Sequence, residues 1–93
     1  MLRRALDRSE PLAGLLLRVQ ASRDRFEAIV SLLPVSLRAS VRAGPLDELG
    51  WALLVEHAAA AAKLRQMLPE LQAALSLKGW PLPAIKIKIQ PRS

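Results

Sequence analysis

Cysteine is absent from this 93-residue chain, which excludes disulfides, thiolate metal sites and a cysteine nucleophile. The fold must hold by packing alone, as suits a reducing cytosol. Aromatic residues make up only 3 % (Phe26, Trp51 and Trp80), so the core must come from Leu, Ile, Val and Ala. Four glycines, none of them grouped, leave no loop to cradle a phosphate. No apolar run approaches the ~18 residues needed to span a bilayer. The Met1-Leu2-Arg3-Arg4 start with Leu12 to Leu17 faintly resembles a signal peptide. The run is short, bracketed by Glu10 and Arg18, and followed by no small-residue cleavage site, so it reads as a helix of the protein.

Acidic residues are the minority, 8 against 14 Lys and Arg, for a net charge of +6. Such an excess on a small domain attracts polyanions. Nucleic acid is the first candidate, and an anionic membrane surface or an acidic protein the second. At 52 % hydrophobic residues the chain has the material for one core, and its length sets one domain over residues 1–93.

Residues 1–8 are expected to fray and 9–34 to be helical, as one helix broken near Ala21–Ser22 or as a helical hairpin. Ser9 is placed to cap and Pro11 suits a first turn. Leu12, Leu15, Leu16 and Val19 share a helical face, and Phe26, Ile29, Val30 and Leu33 continue the stripe before Pro34. A β-hairpin is predicted over 37–56. Its first strand alternates Leu37, Ala39, Val41 and Ala43 against Arg38, Ser40 and Arg42. Gly44-Pro45 and 47–50 read as turn material, and Trp51, Leu53 and Val55 lie on one side of the second strand. A helix follows over 58–78, opened by five alanines. Its stripe is Ala61, Leu64, Leu68, Leu71 and Leu75, with a kink or break expected at Pro69 and a stop at Gly79. Trp80 to Pro83 is a stiff link to a final strand over 84–90, where Ile85, Ile87 and Ile89 face the core and Lys86, Lys88 and Gln90 face away. The fold class is α+β, a three-stranded sheet with helices on one face.

An enzyme is not expected. His57, the only histidine, reads as a capping or surface residue, and one histidine with scattered carboxylates supplies no metal site. Asp47 and Glu48 read as solvated turn residues rather than an acid/base pair. No cofactor or small-molecule substrate is indicated. The basic residues carry more information. Arg38 and Arg42 on the first strand, with Lys86 and Lys88 on the last, would cover an open sheet face able to hold phosphates. The lysines serve equally well as guards against edge-to-edge aggregation. Lys63 and Arg65, off the leucine stripe, are second choices. Trp80 either closes the core or is exposed as a partner anchor.

From Phe26 to Gln90 the chain resembles the DciA family of bacterial proteins linked to the replicative helicase. The resemblance rests on motifs in order. Phe26-Glu27-Ala28-Ile29-Val30 stands where the family carries a helix with an aromatic, usually tryptophan. Trp51-Ala52-Leu53-Leu54-Val55 matches the second hairpin strand. Leu64-Arg65-Gln66-Met67-Leu68-Pro69-Glu70-Leu71 matches a leucine–arginine pair with a proline–leucine stretch, and Ile85 to Ile89 the closing strand. Ala60 and Ser31 depart from the family's usual tryptophan and glycine, and the long basic tail of many members has no counterpart. The resemblance implies a KH-like fold and an adaptor that binds the helicase, assists its loading or activity, and contacts DNA weakly and non-specifically. The Gly-x-x-Gly clamp of true KH domains is absent, so DNA contact would fall to the basic face. The missing tail implies weak DNA affinity. The expected localisation is cytoplasmic, with no membrane contact. The rival readings are an RNA- or ribosome-associated KH-like protein and a pure protein-interaction or dimerisation module.

Overall fold

In the computed structural model, residues 2–82 and 84–91 are described, with side chains from Leu12 onward. The element order is α1 (Leu2–Val30), α2 (Val35–Arg38), β1 (Val41–Asp47), β2 (Gly50–Val55), α3 (Ala58–Leu77) and β3 (Ile85–Ile89). The strands form one sheet in the order β1-β2-β3, with β1 antiparallel and β3 parallel to β2. The α+β class and the helices packed on the sheet are as expected.

α1 is a single helix about 43 Å long, at about 1.5 Å per residue. It has no break at Ala21–Ser22, and it starts well before Ser9, so Pro11 does not open it. The Ser9 side chain, expected as a cap, lies outside the described residues, as does Pro83 of the expected link. The helix ends at Val30. Pro34 then precedes α2, where its missing N–H costs nothing. The backbone at Leu37-Arg38 is therefore one helical turn rather than the start of a strand. Leu37 still reaches the core, but through helical geometry.

β1 begins later than expected and runs through Gly44-Pro45. Ala43 faces Leu53 and Leu46 faces Trp51, so Gly44 and Pro45 together oppose Ala52 as a β-bulge. The extra residue resets the alternation, and both Ala43 and Leu46 point towards the core side. Pro45 is tolerated because β1 is an edge strand. The turn itself is Glu48-Leu49. The Asp47 carboxylate Oδ1 accepts from the amides of Leu49 (2.8 Å) and Gly50 (3.1 Å), which makes Asp47 a turn-forming residue. Gly50 has φ +148°, and a Cβ there would run into the carbonyl oxygen of Ala84. Only glycine lets the chain before β3 approach β2 so closely.

α3 starts on His57, whose Nδ1 accepts from the amide of Ala60 at 3.1 Å. It buries Ala60, Ala61, Leu64, Leu71 and Leu75. The helix continues through Pro69, which faces solvent, so no break occurs there. It ends in a Schellman motif. Gly79 takes φ +81°, its amide donates to Ser76 O, and that of Trp80 donates to Leu75 O.

The core joins Ile29, Leu33, Leu37 and the α3 stripe to Trp51, Leu53, Val55 and Ile85. The helices thus cover the sheet face that carries Trp51, Leu53 and Val55. Burial declines along β3. Ile85 is buried and Ile87 half-buried, but Ile89 is 48 % exposed, contrary to the expectation that all three close the core. Ile89 sits at a corner of the sheet, at the end of an edge strand.

Candidate nucleic-acid interface

The sheet face opposite the helices follows from the register. Arg42 faces Leu54 across one ladder, and Lys88 faces Leu54 across the other. These three form a row in which the Cα atoms of Arg42 and Lys88 are about 10 Å apart, two strand spacings of about 4.8 Å. Lys86 faces Ala52 in the next row. Its Cα lies about 7 Å from that of Lys88, two residues along the strand. Lys86 and Lys88 are exposed and Arg42 is half-buried. Alternation in β3 sends both lysines outward because the isoleucines between them point towards the helices. The result is an apolar strip, Ala52 and Leu54, flanked by one cation on β1 and two on β3. Cations set around such a strip have the chemistry to hold phosphates.

Arg38 is not part of this face. Its Nε donates to Leu33 O at 2.9 Å and its guanidinium also donates to Ser31 O at 3.2 Å. These carbonyls lie just past the end of α1, where backbone acceptors have no intrahelical partner. Arg38 holds the α1–α2 turn together. The expected alternation of Arg38 with Arg42 fails because Leu37-Arg38 is helical.

Lys63 and Arg65 are exposed on α3. α3 packs on the other face of the sheet, so these two do not join Arg42, Lys86 and Lys88. Trp80 is half-buried, packs against the core, and carries the Arg25 guanidinium 5.0 Å above its ring. Arg25 also donates to Ala21 O at 3.0 Å, which fixes it along α1. Trp80 therefore seals the gap between the end of α3 and α1, and its exposed edge is small.

In the sequence Ser22 marks only an expected helix break. It is 5 % exposed in mid-helix. Its hydroxyl donates to Gly44 O at 2.7 Å and accepts from Trp51 Nε1 at 2.9 Å. One oxygen thus ties α1 to the bulge of β1 and to the largest core side chain. No sequence pattern marks it, since the partners are distant in the chain.

Among the described residues no group of three or more His, Asp or Glu side chains is clustered as a metal site, and no helix is long and apolar enough to cross a membrane. No protein-family model matches the chain, and no curated protein matches its sequence.

Proposed function

We propose that the chain is a binding module that contacts nucleic acid non-specifically through Arg42, Lys86 and Lys88 on the outer sheet face. The observation that carries this reading is the pairing register, which sets three cations around Ala52 and Leu54 on the sheet face opposite Trp51, Leu53 and Val55. The net charge of +6 supplies the long-range attraction. The face offers phosphate contacts and no hydrogen-bonding array for base edges, so binding is sequence-tolerant. Together with the order of motifs that resembles the DciA family, this favours a cytoplasmic adaptor for the bacterial replicative helicase, assisting it on DNA, and not a catalyst.

Two measurements test this. Titration of a labelled single-stranded oligonucleotide gives the affinity and its salt dependence. The Lys86→Glu/Lys88→Glu variant should bind more weakly at low salt, and the slope of log K against log salt should fall by about 1.4, at about 0.7 per lost phosphate contact. Lys63→Glu/Arg65→Glu should change binding less. Unchanged binding by the β3 variant at low salt would remove the assignment. The helicase part is tested separately, by co-sedimentation of the chain with purified replicative helicase. Competition between structured RNA and DNA of equal length distinguishes the ribosome-associated reading.

A further inference from the structure

Residues 12–20 of α1 bury no side chain. From Leu12 to Gln20 every side chain is exposed, and Leu12, Leu15, Leu16, Leu17 and Val19 are each between 46 and 71 % exposed. The apolar positions 12, 15, 16 and 19 follow the i, i+3, i+4, i+7 spacing of a helix face made to be covered. In the core-forming part of the helix the same spacing is met by the sheet and α3. Here it is met by nothing among the described residues.

One wall of that face is already built. Leu15 and Val19 line a groove of about 750 Å³ whose other side is Pro45, Leu46 and Leu54 at the β1 bulge. Both bulge residues, Gly44 and Pro45, line the groove, and Ser22 ties Gly44 to α1. Apolar atoms contribute most of the groove surface, so a duplex or a bare phosphate backbone is a poor occupant. Arg18 and Arg23 also line it, and neither makes a hydrogen bond or ion pair among the described residues. The single carboxylate on the rim, Asp47, is already engaged by the amides of Leu49 and Gly50.

From this charge pattern we infer that the groove between α1 and the β1 bulge takes an amphipathic helical segment of a partner protein with carboxylates beside its apolar face. Its leucine-like side chains replace water against Leu15, Val19, Pro45 and Leu54, and its carboxylates meet Arg18 and Arg23. A second copy of this chain is a worse occupant, since the same stripe would bring Arg18 and Arg23 of both copies together on molecules of charge +6. The groove meets the basic sheet face at Leu54 but includes neither Lys86 nor Lys88. It adds a protein-binding surface that does not depend on the nucleic-acid reading.

The probe is a labelled synthetic peptide of leucine and glutamate with leucines at helical spacing, compared with a scrambled peptide of equal composition and with a lysine counterpart. Fluorescence anisotropy with the full chain should give saturable binding of the glutamate peptide, at least tenfold tighter than either control. Val19→Asp should lose that binding at least tenfold. Arg18→Glu/Arg23→Glu should invert the preference towards the lysine peptide. All these side chains are exposed, and thermal melts of the variants matching the parent verify folding. Oligonucleotide binding by Val19→Asp should be unchanged, which separates this surface from the basic sheet face. Equal binding of the ordered and scrambled peptides overturns the inference. So does a dimer in analytical ultracentrifugation that Val19→Asp dissolves, because the occupant would then be a second copy.

Discussion

Ser22 shows how much one hydroxyl can decide in a small core. It pairs a buried indole N–H and a strand carbonyl. Ser22→Ala removes both hydrogen bonds from a hydroxyl whose residue is 5 % exposed, at a total cost of about 1–3 kcal/mol. Chemical denaturation should therefore show a loss of about 1–3 kcal/mol. Trp51→Phe removes the donor, so in the double variant the two losses should be less than additive, and a double-mutant cycle reads the difference. The cap at His57 is a milder case. His57→Ala should cost about 1 kcal/mol in the same measurement, and His57→Asp should restore it, because a carboxylate accepts the Ala60 amide and favours the helix N-terminus. His57 was legible in the sequence because capping is local. It needs only a strand end followed by alanines. Ser22 was not legible, since nothing in its neighbours distinguishes a serine on a solvent face from one held under a tryptophan. Arg38 fell between the two. Its alternation with Arg42 imitates a strand, but the proline at 34 sets up a helical turn that sends its guanidinium back to α1.

At the level of elements, periodicity identified β2, α3 and β3 nearly to the residue, because each pattern is long or flanked by clear stops. The errors fell where one residue changes the phase. The β1 bulge places Gly44-Pro45 inside a strand, although the pair reads as a turn wherever no partner strand is known. A kink or a break was expected at Pro69, and α3 runs on through it without a break, because Leu71 and Leu75 are buried in the same stripe as Leu64 and hold the second half of the helix in place. The proline still removes one helical hydrogen bond at an exposed position. Pro69→Ala should restore that bond and stabilise the domain by about 1–3 kcal/mol, read as a higher Tm. The basic face was half legible. β3 gave Lys86 and Lys88 directly, while their relation to Arg42 required the register of both ladders.

Taken as a whole the molecule is elongated. Its radius of gyration is 15.2 Å, against about 12 Å for a compact chain of this length. The cause is α1, whose C-terminal part enters the core while residues 12–20 stand clear of it. Stability should be distributed accordingly. In native-state hydrogen exchange the amides of Leu53, Leu64 and Leu71 should exchange only on global unfolding. Those of residues 15–20 should exchange through local opening at least tenfold faster, since no buried side chain opposes fraying there. Occupation of the groove by the glutamate peptide should slow them, whereas oligonucleotide should not.

The sheet also has a consequence for the order of folding. β1 and β2 meet across a two-residue turn set by Asp47, a local contact that closes in microseconds. β3 reaches the far side of β2 only after the whole of α3 has been laid down between them, so its parallel pairing closes a long loop. Until that happens one edge of the central strand is unpaired, with Trp51 and Leu53 behind it. This topology makes the hairpin the expected nucleus and β3 the expected latch. Conservative changes in β3, such as Ile85→Val, should speed unfolding far more than they slow refolding.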